Sequence, residues 1–126
     1  MTKRRVVITG MGMVSPVGLS VSESWENILA GKSGIKPLDH FDTESYSTRF
    51  GGSIRNFNIN DYISPKESKK MDFFIHYGMA AGIQAIEDSG LEITEENAWK
   101  IGVHIGSGIG GISGIEAGHN KCLQGG

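Results

Sequence analysis

The sequence contains a single cysteine, Cys122, among its 126 residues. One thiol excludes an internal disulfide and every metal site that needs several thiolate ligands. The histidines also lack the regular spacing of metal ligands on one helix. These histidines are His40, His76, His104 and His119. We therefore predict a protein of a reducing compartment that holds no metal.

Long hydrophobic runs are missing as well. The basic start at residues 1–5 leads into only a few apolar residues before Gly10, whereas a membrane span needs about 18 in succession. We expect no signal peptide, no membrane anchor and a cytoplasmic location. The formal net charge of −2 gives no overall attraction for nucleic acid or anionic lipid, so any electrostatic function has to be local.

Glycine, by contrast, is abundant. The chain has 19 glycines, and nine of them fall between Gly102 and Gly126. Glycine is favoured where a backbone turns tightly or where another group approaches it closely. The C-terminal fifth of the chain is therefore where we expect a site or an interface.

The hydrophobic patterns predict an α/β protein. Residues 5–9 form a β-branched run without polar alternation, which is typical of a strand buried on both faces. Residues 101–105 indicate a second sheet strand, and residues 48–54 alternate as a half-exposed strand does.

Helix signals separate these strands. Ser20 and Glu23 have the spacing of a capping box, before a helix that ends near Gly31. Ser64 and Pro65 predict the start of a long helix that runs to residues 89–90. A single turn at residues 94–97 and a last helix over residues 112–123 complete the prediction.

The glycine loop after the first predicted strand invites comparison with a dinucleotide-binding fingerprint. Gly10 and Gly12 fit its first two glycines, but the third position falls on Ser15, and Pro16 adds a kink that the motif does not require. A tight turn from strand to helix is the favoured interpretation. Cys122 has no local base among its neighbours, so we expect a buried or half-buried helix residue and not a nucleophile.

Three lysines cluster where the long helix is predicted to begin. Lys66, Lys69 and Lys70 stand at positions i, i+3 and i+4 and so share one helix face. Cations at a helix N-terminus oppose the macrodipole, which ordinary solubility does not require. Two interpretations remain open: a docking surface for an anionic partner, or a solvated face partly offset by Glu67 and Asp72.

Seven blocks along the chain, in this order, together resemble the opening of the bacterial β-ketoacyl-acyl-carrier-protein synthase II family. The blocks are RRVVITGMG (4–12), SPVG (15–18), GKSGI (31–35), DHFD (39–42), KMD (70–72), DSGL (88–91) and GSGIGG (106–111). The resemblance implies a thiolase-like, layered α/β/α/β/α fold. Residues 1–126 are then the front of its first half, the N-terminal part of the β-ketoacyl synthase N-terminal domain, without the C-terminal half.

The resemblance also implies a chemistry, which is a decarboxylating Claisen condensation in type II fatty acid biosynthesis. In that family a cysteine takes the acyl chain from acyl carrier protein, and two histidines help to decarboxylate malonyl-carrier protein. We expect no catalytic residue in this chain, because those three residues belong to family segments beyond Gly126 and Cys122 does not align with the nucleophile. The chain alone should be inactive.

Two features carry over from the family to this sequence. Lys66, Lys69 and Lys70 match the basic patch that receives the acidic carrier protein, and Ile109 matches the acyl-pocket residue that limits chain length. Ile109 between glycines also favours synthase II over synthase I. The implied partners are acyl carrier protein, with its phosphopantetheine-linked acyl or malonyl group, and a second copy in a homodimer. No cofactor, nucleic acid or membrane is implied.

Two alternatives stay open at this point. The first is a non-catalytic chain that binds acyl carrier protein through its lysines, or that pairs with a synthase as a partner. The second is a nucleotide-binding domain that uses the Gly10 loop.

Overall fold

The computed structural model describes residues 3–125. The helices and strands within that range are α1 (Val21–Leu29), β1 (Ile35–Pro37), β2 (Phe50–Gly52), α2 (Pro65–Ser68), α3 (Phe73–Ser89) and α4 (Ile112–Leu123). Short 3₁₀ turns lie at Ile59–Asp61 and Ala98–Lys100.

Helix α1 begins and ends where the sequence predicts. The Ser20 hydroxyl accepts the backbone N–H of Glu23 at 3.2 Å, and the Glu23 carboxylate reaches back to the N–H of Leu19 at 2.6 Å. The first bond satisfies a donor that the first turn of a helix leaves free, and the second fixes the residue that precedes the cap. The helix stops before Gly31, whose φ of +67° is a left-handed conformation that glycine adopts at no steric cost.

Strands β1 and β2 form a small antiparallel pair in which Lys36 lies opposite Gly51. The predicted half-exposed strand at 48–54 is therefore confirmed over Phe50–Gly52 only. Arg55 follows β2, and its guanidinium donates to the Asp39 carboxylate and to the Pro37 carbonyl. These two hydrogen bonds tie the segment after β2 to the end of β1. The hydrogen bond from Arg55 lowers the pKa of Asp39 below its ordinary value.

The long helix predicted from Ser64 to Gly90 is two helices. Its capping box is confirmed, with Ser64 and Glu67 bonded reciprocally and Pro65 in the first position. Helix α2 nevertheless ends after Ser68, and α3 begins at Phe73. The break arises because Asp72 is extended (φ −83°, ψ 161°) and its carboxylate accepts the Phe73 N–H at 2.8 Å, which starts a new helix.

The N-terminal glycine loop packs directly on α3. A Cβ atom at position 12 would lie 1.9 Å from the carbonyl oxygen of Ala81, and one at position 10 would lie 2.2 Å from that of Ala85. Only glycine allows so close an approach between two backbones. The Asp88 carboxylate accepts the N–H of Met11 at 2.8 Å and fixes the loop in place.

The two predicted sheet strands at 5–9 and 101–105 are wrong for the described part of the chain, where neither pairs with another strand. Val6 is 93% exposed and Val103 is 77% exposed. A β-branched run favours extended backbone, but a strand forms only when a neighbour supplies the hydrogen-bond ladder and the covering face. Residues 3–125 supply neither.

Of the remaining C-terminal predictions, the two that concern backbone elements are confirmed and the one that concerns Cys122 is wrong. The turn at 94–97 is confirmed by the bond from the Ala98 N–H to the Thr94 carbonyl at 2.9 Å, and α4 covers the predicted last helix. Cys122 is exposed on α4, so the expectation of a buried or half-buried thiol is wrong, because no described element packs over that helix. Among residues 3–125, no helix is both long and apolar enough to cross a bilayer.

Candidate functional site

The three predicted docking lysines lie on the surface, although not on the long helix. Lys66 belongs to α2, Lys69 is its C-terminal cap and Lys70 follows in the connection to α3. All three are exposed. The predicted position in the first turns of a long helix is wrong, because the Asp72 cap interrupts that helix. We call Lys66, Lys69 and Lys70 the lysine turn.

One buried hydrogen bond holds the lysine turn against α3, and another contact stabilises α2 itself. The imidazole Nε2 of His76 lies 2.9 Å from the Ser68 carbonyl oxygen, and both residues are buried. The Ser68 hydroxyl donates to the Pro65 carbonyl at 3.2 Å. Buried polar groups cost little only when they are paired in this way. The short helix α2 is thus held in a defined position although a single turn is unstable alone.

Within the described residues, no ion pair neutralises the lysine turn. Within residues 3–125 the ion pair joins Arg55 to Asp39, away from these lysines. The two neighbouring carboxylates are engaged in helix caps instead. Glu67 accepts the Ser64 hydroxyl at 2.6 Å, and Asp72 accepts the Phe73 N–H. Three exposed lysines within five residues therefore give this turn a local positive charge, which suits an acidic partner.

Sequence reasoning missed His76 as part of this surface and treated it as an ordinary helix residue. No sequence signal links it to Ser68, since the two stand eight positions apart across a helix break. Only the break itself, signalled by Asp72 before an apolar run, brings the imidazole under the lysine turn.

The glycine loop over residues 106–111 ends at the start of α4. Gly111 is the N-terminal cap and has a φ of +71°. A Cβ at Gly111 would lie 3.0 Å from Oδ2 of Asp72, and a Cβ at Gly110 would lie 2.5 Å from the ring of Phe74. The loop therefore rests on the first turn of α3, directly after the lysine turn.

Ile109 stands on this loop as an exposed side chain, with 77% of its surface accessible. It is not among the residues that line the two hollows beside α3 described below. The loop that carries Ile109 lies close to Asp72 and Phe74 in space, just after the lysine turn, and the acyl-pocket role of Ile109 stays a prediction.

Two apolar hollows flank α3. One, of about 480 Å³, lies between the first half of α3 and the segment before the glycine loop. Its lining residues are Phe74, Ile75, Tyr77, Gly78, Met79, Ile105, Gly106 and Ser107. The other, of about 770 Å³, lies between α1 and the N-terminal loop, beside Met11, Met13 and Trp25. The first has no acidic, basic or thiol side chain in its lining. The second is also lined by Glu87 and Asp88, and the Asp88 carboxylate is engaged with the Met11 N–H.

The other candidate chemistries find little support in residues 3–125. Residues 3–125 contain no group of three His, Cys, Asp or Glu side chains placed to hold a metal ion. The Gly10 loop, considered for a nucleotide, is filled on its α3 side by the backbone at Ala81 and Ala85. Close packing on a helix, and not a phosphate, accounts for Gly10 and Gly12.

Comparison with known proteins agrees with these features. Residues 3–123 match the sequence profile described as "Beta-ketoacyl synthase, N-terminal domain". The chain belongs to this family. Among its relatives, "3-oxoacyl-[acyl-carrier-protein] synthase 2" of Vibrio cholerae serotype O1 is 60% identical over 98% of this chain and 30% of its own length. The proteins of that name from Coxiella burnetii and Staphylococcus aureus (strain COL) are 48% and 46% identical.

A solved structure also matches. "The ishigamide ketosynthase/chain length factor" superposes with a TM-score of 0.66 and 33% identity, over 76% of this chain and 23% of that chain. The recognition of the β-ketoacyl synthase family and the prediction of its thiolase-like α/β fold are therefore confirmed. The chain spans about 30% of the length of the curated relatives it matches.

Proposed function

We propose that this β-ketoacyl synthase chain is the N-terminal third of a 3-oxoacyl-acyl-carrier-protein synthase of type II fatty acid elongation. The observation that carries the proposal is the identity of 46–60%, over nearly the whole chain, to proteins named 3-oxoacyl-[acyl-carrier-protein] synthase 2. In the complete enzyme an acyl thioester on a cysteine is attacked by the carbanion that forms when malonyl-carrier protein loses carbon dioxide. The new carbon–carbon bond releases the cysteine thiolate.

In this proposal the chain contributes recognition. The lysine turn receives the acidic carrier protein, and Ile109 stands at the acyl pocket, which further segments of the enzyme complete. The three exposed lysines support the docking role, because the two adjacent carboxylates serve helix caps. The proposal includes a cytoplasmic homodimer, as the family resemblance implies.

A charge-reversal experiment tests the docking role. In the complete enzyme, Lys66→Glu, Lys69→Glu and Lys70→Glu should each weaken carrier-protein binding by roughly five-fold, because an exposed ion pair contributes up to about 1 kcal/mol. Combined substitutions should weaken it further. KM for the acyl-carrier protein should rise while turnover of an acyl-pantetheine substrate stays unchanged, since that substrate has no acidic carrier domain.

The matched control is Lys100→Glu, which makes the same charge change on a separate surface turn. The affinity of this variant for the carrier protein should stay within roughly two-fold of that of the unsubstituted enzyme, because surface charges away from an interface contribute little to binding. Equal losses in Lys100→Glu and Lys69→Glu would contradict a localised docking surface.

A non-catalytic carrier-binding chain is the second candidate, and the same surface supports it. It differs in one outcome: the complete protein would bind acyl carrier protein through the lysine turn without any malonyl-dependent turnover.

A further inference from the structure

The glycine loop that carries Ile109 packs against the aromatic ring of Phe74. A Cβ atom at Gly110 would lie 2.5, 2.6 and 2.7 Å from Cζ, Cε2 and Cε1 of Phe74, and these are its three nearest atoms. The backbone of Gly110 is outside the left-handed region. Its φ would therefore tolerate alanine, and the Phe74 ring alone explains the need for glycine here.

The two groups beneath the loop, the Asp72 carboxylate and the Phe74 ring, differ in how far they can move. A Cβ at Gly111 would lie 3.0 Å from Oδ2 of Asp72, whose carboxylate is held by its bond to the Phe73 N–H at 2.8 Å, so the start of α4 has little room to move toward Asp72. The Phe74 ring is 40% exposed and borders the hollow of about 480 Å³ beside Ile105 and Gly78. The ring has space on that side into which it can turn.

From this geometry we propose that Phe74 is a positioning residue for Ile109 and thereby a second determinant of acyl chain length. The inference rests on the proposed function, in which Ile109 limits the acyl pocket. Ile109 is covalently next to Gly110, so it can retreat toward α3 only if the Phe74 ring turns into the hollow. A long acyl chain requires that retreat, whereas a short chain does not.

The size of residue 74 should therefore set the preference between long and short acyl chains. In the complete enzyme, Phe74→Leu removes the part of the ring beneath Gly110. The ratio of kcat/KM for tetradecanoyl- over hexanoyl-carrier protein should then rise by about three-fold or more, a modest change for a pocket altered by a few carbon atoms. Phe73→Leu is the matched control, because Phe73 lies one position earlier and the three atoms nearest a Cβ at Gly110 all belong to Phe74; its ratio should stay unchanged.

A second pair of variants tests whether Phe74 acts through the loop. Gly110→Ala places a methyl group against the ring, so it should block the retreat and lower the ratio. Phe74→Ala in the same protein should restore it. If Phe74→Leu does not fold, the lower ratio expected for Gly110→Ala alone keeps the inference testable, and an unchanged ratio in that variant would contradict it.

Two results would overturn the inference. One is that Phe74→Leu raises the ratio as much in an Ile109→Ala background as in the otherwise unsubstituted enzyme. That result would mean that residue 74 does not act through Ile109. The other is an unchanged ratio in Phe74→Leu while Ile109→Phe shortens the accepted chains, which leaves the proposed function intact. Absence of condensation by the unsubstituted enzyme would instead refute the proposed function itself, and this inference with it.

Discussion

Gln84 joins three segments of the chain through one side chain. Its amide oxygen accepts the Met13 N–H at 3.1 Å, and its amide nitrogen donates to the Leu19 carbonyl and the Tyr62 hydroxyl, each at 2.7 Å. The half-buried amide thus uses both its donor hydrogens and its acceptor. The N-terminal loop and the segment before α2 are both tied to α3 through this residue.

Gln84→Leu should therefore destabilise the complete protein by about 1–3 kcal/mol, since three polar partners lose their hydrogen bonds. The urea midpoint of unfolding measures this loss. Gln124→Leu is the control, because Gln124 is exposed at the end of α4 and should change stability by less than about 0.5 kcal/mol. If Gln84→Leu lowers the free energy of unfolding no more than the control does, water replaces the hydrogen bonds of the Gln84 amide at no cost.

Individual residues also show which parts of the site the sequence predicts. The exposure of the three lysines follows from their charge, and the Ser64 cap follows from its spacing to Glu67. The support of the lysine turn by His76 was not predictable, because it depends on where the helix breaks. The role of Phe74 depends on a contact between positions 74 and 110 that no local pattern encodes.

At the scale of elements, the packing of the N-terminal loop on α3 is the closest backbone contact. Gly12→Ala should force the loop away from α3, because its Cβ would lie 1.9 Å from a carbonyl oxygen that belongs to the helix backbone and cannot turn aside. We expect destabilisation of about 1–3 kcal/mol, the usual cost of overpacking, or a failure to fold.

Gly118→Ala is the matched control, since it lies within α4 and has open space around it. Alanine there should stabilise the helix by up to about 1 kcal/mol, because alanine has the higher helix propensity. Thermal unfolding of the two variants should therefore shift in opposite directions. Shifts of the same sign and size would show that the Gly12 contact does not constrain the loop.

Elements governed by local signals were predicted well, and elements governed by distant partners were not. Helices α1 and α4 follow from caps and glycine stops near their ends. The strands expected at 5–9 and 101–105 require a ladder that residues 3–125 do not supply. The break between α2 and α3 was missed because Ser64 and Pro65 predicted the start of one helix running to residues 89–90, while Asp72 competes locally as a second cap.

At the scale of the whole molecule, the exposed apolar side chains are consistent with a chain that spans about 30% of its relatives' length. Val6, Ile8 and Val103 are at least three-quarters exposed, whereas such residues are usually buried in a finished α/β sheet. We therefore propose that further segments of the complete enzyme cover these faces.

Malonyl-dependent condensation, measured for the complete protein and for the 126-residue chain in the same assay, tests this account most directly. We predict release of carbon dioxide and formation of 3-oxoacyl-carrier protein by the complete protein, and neither by the 126-residue chain, which is proposed to hold docking and pocket residues without the catalytic cysteine and histidines. Turnover by the 126-residue chain, or none by the complete protein, would contradict it.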